Sequence, residues 1–472
     1  MTLYQSDKFK DECGVMGVLQ DTPENTAAYV YLGLYALQHR GQESCGIAVN
    51  NDTEITQHRG MGLVGDVFTS EELRKQKGDI AIGHVRYSTA GDSDIKNAQP
   101  LTVNCKDWQI ALAHNGNLVN ADAIKNMLQD DGVIFMTSSD TEVIANLIAR
   151  NYKFGIVEAL KRVGQIVKGA YALVLTMGDM LIGVRDPYGL RPLCLGQLDN
   201  GGYALASESC ALDAINAKFV RDVEPGEIIV ISDKNIESYK IESWAKPRRC
   251  IFELVYFARP DSLIDGDEVH ESRARAGKLL AKVDEGKINA DVVMAVPDSG
   301  VSAAIGYAEE SGIPYGVGLI KNRYIGRTFI QPTQSMREEG VDIKLNVLRS
   351  NVEGKSVVLI DDSIVRGTTS KRIVDKLKKA GAKEVHFRVA SPPTSYSCFF
   401  GIDTPNRDKL ISSKLSMEEI KDFIGADSLY YLTIDELKQT VADFDKGYCM
   451  ACFNGDYPME VPFKEEQVRS SK

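Results

Sequence analysis

The chain has 472 residues, with 55 Lys+Arg against 66 Asp+Glu, a net charge of -11, 43% hydrophobic and 26% charged residues. At roughly 100–200 residues per domain this makes two to four domains, each able to bury a core, and excludes disordered, collagen-like and coiled-coil chains. The acidic balance leaves no electrostatic footprint for nucleic acid or an anionic membrane, and no apolar run approaches the roughly 18 residues of a membrane span. Residues 1–12, MTLYQSDKFKDE, are too charged for a secretory signal. Nine cysteines scattered over a long chain do not read as a disulfide scaffold, so a reduced cytoplasmic compartment is expected.

The first half alternates short apolar strands with polar turns, at 47–49, 80–82, 110–112, 170–176 and 226–231. Helical spacing appears at 27–38 and 141–150. This pattern predicts sheets with helices outside them. It breaks at 242–249, where Trp-Ala-Lys-Pro-Arg-Arg marks a boundary that divides the chain into 13–245 and 246–472. Beyond it, β-branched runs at 292–296, 357–360 and 385–390 alternate with helical spacing at 301–310 and 371–380. That rhythm implies βαβ units and a parallel sheet with ligands at the carboxyl ends of its strands. Gly60-Met61-Gly62-Leu63-Val64-Gly65 fits G-x-G-x-x-G outside any strand–turn–helix unit, and Gly354-Lys355-Ser356 precedes a strand instead of following one, so neither reads as a nucleotide loop.

Cys13 follows the polar leader. It reads either as a buried thiol opening a core strand or as a nucleophile exposed by removal of residues 1–12. In the second case its own α-amino group, of reference pKa about 7.7–8.0, is the general base. The segments Gly83-His84-Val85-Arg86-Tyr87-Ser88-Thr89-Ala90-Gly91, His114-Asn115-Gly116-Asn117-Leu118 and Ser138-Ser139-Asp140-Thr141-Glu142 each pass singly for a satisfied turn or helix cap. Together with Cys13-Gly14 they resemble the class II glutamine amidotransferases. The resemblance implies an α/β fold, the Ntn hydrolase αββα sandwich, with Cys13 attacking the glutamine amide. It also implies an oxyanion hole from the Asn115 side chain and the Gly116 N–H, Arg86 on the substrate α-carboxylate and Asp140 on its α-ammonium. His84 and His114 are expected to form hydrogen bonds, since neither has a second metal ligand at suitable spacing.

The segment 357–370, VVLIDDSIVRGTTS, delivers two carboxylates from a buried strand to a turn that opens a helix. N–H groups and hydroxyls at such a helix start suit a phosphate monoester, and paired Asp residues suit ribose hydroxyls and hydrated Mg²⁺. It resembles the phosphoribosylpyrophosphate (PRPP) motif of type I phosphoribosyltransferases. By that resemblance Thr368, Thr369 and Ser370 cradle the 5-phosphate, Arg366 and Gly367 belong to the PRPP site, and Asp361 and Asp362 face ribose and metal. The Pro297-Asp298-Ser299-Gly300 turn would face pyrophosphate, with Ser299 near Mg²⁺. Residues 321–338, carrying Lys321, Arg323, Arg327, Thr328 and Gln331, resemble the loop that closes over PRPP.

Cys449-Met450-Ala451-Cys452 fits a redox pair or half a zinc site; with Cys250 and Cys398, four thiolates also permit a [4Fe–4S] cluster. Segments 250–262, 398–403 and 449–458 extend the resemblance over nearly the whole chain, to the glutamine PRPP amidotransferase family in its iron–sulfur, propeptide-processed branch. This implies Cys250, Cys398, Cys449 and Cys452 as ligands of a structural cluster, and Mg²⁺ with PRPP. It further implies ammonia passing internally from glutamine to PRPP, giving 5-phosphoribosylamine at the committed step of purine synthesis. A homotetramer inhibited by purine nucleotides follows from the same likeness. Cys45, Cys105, Cys194 and Cys210 are left for packing. Two rivals stand beside this reading. A class II glutaminase with another acceptor has no use for residues 361–370, and a non-catalytic PRPP-binding regulator has no use for Cys13, Arg86, Asn115 and Asp140.

Overall fold

The computed structural model describes residues 13–51, 54–87, 93–105, 108–232, 235–322 and 345–462. Strand period two builds the first half. In the strand Gly14–Leu19, Val15 and Leu19 join a core between two sheets, whereas Met16 and Val18 pack outward on the helix Thr26–Ala36. Ile80 and Ile82 point inward and Ala81 and Val85 outward; Ala111 and Ala113 point inward and Ile110 and Leu112 outward. Two-sided burial of this kind requires two sheets with helices on both outer faces.

One sheet has seven strands, in the order Lys218–Asp222, Cys194–Gln197, Tyr203–Ala206, Gly14–Leu19, Ile80–Arg86, Ser44–Asn50 and Ile55–Met61. The other has six, in the order Asn235–Lys240, Glu227–Ser232, Met180–Arg185, Gly169–Met177, Trp108–Leu118 and Leu101–Cys105. The helices Asp140–Asn151 and Ile156–Ile166 cover the outer face of the second sheet. The layers are those of the expected αββα sandwich, and the G-x-G-x-x-G segment is a strand end followed by a four-residue helix, Val64–Val67.

The second half is a four-stranded parallel sheet in the order Val292–Ala295, Ser356–Asp361, Glu384–Val389, Ser428–Tyr431. In the central strand Val357 and Leu359 face the helices Thr368–Lys379 and Met417–Ile424, while Val358 and Ile360 face Val269–Asp284 and Val301–Ser311. Burial on both faces is why this strand reads as a continuous apolar run. The helix forecast at 371–380 begins three residues earlier, because Gly367 takes φ +77° and lets the chain turn straight into it. Strand Ser428–Tyr431 was not foreseen; Ser428 and Tyr430 are only partly buried, so its apolar signal is weak.

Between the halves, residues 241–248 have no regular structure, and Arg249–Cys250 then pairs in parallel with Tyr448–Cys449. Ala170 and Leu190 of the sandwich share a core with Phe400, Cys449, Ala451 and Val461. No described helix is long and apolar enough to cross a membrane.

Candidate active site

Strand parity gathers the first site. Cys13 lies in line with Val15, Arg86 and His84 in line with Ile82, and Asn115 in line with Ala113, so all four aim into the cleft between the sheets. Cys13 is buried, and its Sγ donates to the Tyr87 carbonyl oxygen at 3.4 Å. Burial pushes its thiol up to about 11; the Tyr87 contact and Arg86 oppose this, whereas Asp140 and Glu43 add to it. Such a thiol is protonated at neutral pH and needs a base to react.

Asn115 is buried, and among the described residues neither its amide N–H nor its oxygen has a hydrogen-bond partner. Beside it Gly116 takes φ +148°, and a Cβ there would stand 2.0 Å from the Ala170 carbonyl oxygen, so only glycine fits. Asp140 opens its helix behind the Ser139 cap and accepts from Leu118 N at 3.0 Å, with His114 Nδ1 at 3.5 Å. Burial alone would raise the Asp140 carboxyl, but His114 and the backbone N–H groups hold it below the usual range. His114 Nδ1 also meets Thr141 Oγ1 at 3.3 Å, and His84 Nε2 donates to the His114 carbonyl at 2.9 Å. A cavity of about 520 Å³ opens beside this corner, between Leu118 and Asp140 on one side and Cys398 and Phe399 on the other.

One partner was missed from sequence. Glu43 Oε1 lies 2.7 Å from Arg86 Nη1, and Glu43 N donates to the Arg86 carbonyl. Glu43 belongs to no motif; only the pairing of Ser44 with Arg86 in adjacent strands brings it there.

The second site lies at the carboxyl end of the parallel sheet. Asp361 and Asp362 are both buried there, Asp362 N donating to Asp361 Oδ1 at 3.0 Å. Gly367, Thr368, Thr369 and Ser370 form the first turn of the next helix, with Arg366 half-buried before it. The turn 297–300 crosses from the neighbouring strand with a cis Pro297–Asp298 peptide, and Lys321 Nζ reaches Asp298 Oδ2 at 2.8 Å. Ser299 sits in this turn, sharing a small void with Asp362. The strands Leu319–Lys321 and Leu345–Val347 pair as the stems of the expected loop. Arg323, Arg327, Thr328 and Gln331 lie outside the described residues, as do residues 1–12 and Ser88–Gly91's positions 88–91.

The third group is the four late cysteines. Parallel pairing puts Cys250 in register with Cys449, and Cys449 and Cys452 are buried. Burial pushes the thiols of Cys250 and Cys449 up, to about 11 and about 12; Cys398 adds to both, and Cys250 adds to Cys449. Phe400 N donates to Cys398 Sγ at 3.3 Å. Among the described residues no three His, Cys, Asp or Glu side chains stand close enough to hold a single metal ion. Of the cysteines assigned to packing, Cys45, Cys194 and Cys210 are buried in the sandwich; the Cys105 side chain is outside the described residues.

Residues 57–264 match a family model for the glutamine amidotransferase domain, and residues 265–393 match one for the phosphoribosyl transferase domain. An amidophosphoribosyltransferase of Archaeoglobus fulgidus is 50% identical over 457 residues, covering 96% of this chain and 99% of its own. The Bacillus subtilis amidophosphoribosyltransferase is 50% identical over 459 residues, covering 96% and 95%. The chain belongs to the amidophosphoribosyltransferase family. A solved glutamine PRPP amidotransferase from B. subtilis, complexed with ADP and GMP, superposes with a TM-score of 0.89 at 48% identity, over 95% of this chain and 98% of that one. Members of the family make 5-phosphoribosylamine from PRPP and glutamine in the first step of purine biosynthesis, and this chain is an enzyme of that reaction. Both rivals fall with that membership.

Proposed function

We propose that the reaction is divided between the two centres, glutamine being opened in a unit of residues 13–245 and PRPP aminated in a unit of residues 246–472. Removal of residues 1–12 makes Cys13 the first residue. Its α-amine takes the thiol proton, and the sulfur attacks the glutamine amide carbon. The Asn115 amide and Gly116 N–H receive the developing oxyanion, and the amine returns the proton to departing ammonia, leaving a thioester that water hydrolyses to glutamate. Arg86 binds the α-carboxylate and Asp140 the α-ammonium, which restricts the site to free glutamine. The observation that carries this reading is the Asn115 amide, buried without a partner among the described residues in the cleft that Cys13, Arg86 and His84 face.

At the second centre Thr368, Thr369 and Ser370, with Arg366 and Gly367, hold the 5-phosphate at the helix start, and Lys321 and Arg327 close over pyrophosphate. Asp361 and Asp362, with Ser299, would hold Mg²⁺, which would supply charge neutralisation for the leaving pyrophosphate. Ammonia passes internally, because in water it would protonate to unreactive ammonium. Cys250, Cys398, Cys449 and Cys452 would hold a structural [4Fe–4S] cluster, with Phe400 N donating to the Cys398 sulfur. Purine nucleotides inhibit, in keeping with the ADP and GMP of the B. subtilis structure, and the assembly is a cytoplasmic homotetramer.

Intact mass and peptide mapping after treatment with an electrophilic glutamine analogue test the first centre. The expected result is a chain beginning at Cys13 and carrying one label there. A labelled or fully active chain that retains residues 1–12 would overturn the N-terminal nucleophile.

A further inference from the structure

Seven arginines are buried among the described residues, and six of them reach a carboxylate. Arg40, Arg86, Arg185, Arg191, Arg249 and Arg388 lie between 2.5 and 3.3 Å from Asp or Glu oxygens. Arg273 differs. Its Nε donates to the Leu254 carbonyl and its Nη2 to the Ala258 carbonyl, both at 2.8 Å, with the Glu253 carbonyl at 3.5 Å. These are its polar contacts among the described residues, and none is a carboxylate. A neutral donor would hold the same carbonyls without the cost of taking an ion out of water, so the turn at 253–258 does not account for the charge.

That charge is set beside the acidic pair of the PRPP centre. Arg273 lies in the second turn of the helix Val269–Asp284, and with Ser272 it lines a void of about 10 Å³ that Ser299 and Asp362 also line. Such a volume holds at most one water, so little solvent screens the guanidinium from the carboxylate. Of the charges around Arg273, that of Asp362 acts on it most strongly. Asp362 is held in place, its Oδ2 accepting from Ser363 Oγ and its carbonyl from Ser391 Oγ at 2.7 Å. Its own N–H goes to Asp361 Oδ1, which fixes the two carboxylates side by side. Two fixed, buried carboxylates attract a divalent cation and repel a polyphosphate. A fixed cation beside them opposes both effects.

We propose that Arg273 is a positioning residue of the PRPP centre, whose buried charge weakens the hold of Asp361 and Asp362 on a free divalent cation and strengthens the hold of their site on PRPP. The acidic pair is kept from closing on metal alone, and the phosphates of PRPP meet less repulsion. The proposal rests on the roles given above to Asp361 and Asp362.

The test uses the processed full-length enzyme, purified without oxygen, and the variants Arg273→Gln, Arg273→Lys and Asp362→Asn. Mn²⁺ binding without PRPP is read from the electron paramagnetic resonance of the free ion, and PRPP binding with Mg²⁺ by equilibrium dialysis, beside thermal unfolding. Glutamine can still donate to a carbonyl but carries no charge. Arg273→Gln should bind Mn²⁺ about tenfold more tightly and PRPP about tenfold more weakly. Arg273→Lys keeps the charge on a shorter reach and should move both affinities by about threefold, in the same opposed senses. Should Arg273→Gln fail to fold, the opposed shifts in Arg273→Lys decide the matter. An arginine with a purely structural role would weaken both ligands together as the melting temperature falls. That result, or an unchanged Mn²⁺ affinity in the folded variants, would overturn the proposal. Asp362→Asn that binds Mn²⁺ and PRPP like the parent would instead overturn the assignment on which it rests.

Discussion

A buried amide with neither its N–H nor its oxygen engaged costs a folded protein on the order of 1–3 kcal/mol, and among the described residues Asn115 is such an amide, in the cleft that Cys13 faces. In the proposed oxyanion hole its N–H would gain a partner when the oxyanion forms. Asn115→Ala should therefore lower glutamine-dependent kcat by about 10²–10³-fold, leave ammonia-dependent turnover unchanged and cost no stability. Steady-state rates with the two nitrogen donors, beside a melting curve, check all three. His84 makes a different point. Its ring is buried, and burial lowers its pKa to about 3, the His114 carbonyl only partly opposing this. The unfolded chain then binds more protons than the folded one between pH 3 and about 6.5, so stability rises with pH across that window and is lost as pH falls below about 6.5. At pH 5 the loss is about 2 kcal/mol, and His84→Gln should remove it; urea unfolding at pH 7 and pH 5 measures the difference. The residue types at both sites were legible because class II and PRPP motifs are local strings. Glu43 was not, because its partner Arg86 is a neighbour only across a strand ladder.

At the scale of elements, local patterns carried most of the fold. The run at 357–360 is apolar because helices cover both its faces, and the alternation around Cys13 is regular because one face meets a sheet and the other a helix. Strand Ser428–Tyr431 escaped notice for the converse reason, Ser428 and Tyr430 being only partly buried at the sheet edge. The two-residue ladder of Arg249–Cys250 with Tyr448–Cys449 is too short to leave a pattern, yet it sets Cys250 against Cys449 across nearly two hundred residues. If these strands present thiolates to a cluster, the protein purified without oxygen should carry about four iron and four sulfide per chain. Cys452→Ser should lose most of both and unfold at lower temperature. Zinc in place of iron, or a Cys452→Ser protein with unchanged iron, would rule the cluster out.

At the scale of the molecule, two complete folds meet through polar contacts that no motif announces. Arg40, Glu208 and Glu253 lie far apart in the chain and look like ordinary surface charges in sequence; only the structure shows them buried against one another. Asn117 Nδ2 likewise donates to the Phe399 carbonyl at 2.9 Å, placing the Cys398 turn directly on the strand that carries Asn115. If glutamine is opened in the sandwich and PRPP is aminated beside the parallel sheet, the two chemistries are separable. The direct measurement is Cys13→Ala assayed with PRPP and Mg²⁺, supplied in turn with glutamine and with ammonia. Glutamine-dependent turnover should vanish while ammonia-dependent turnover persists at the parent rate; equal loss of both, or survival of glutamine use, would contradict the division.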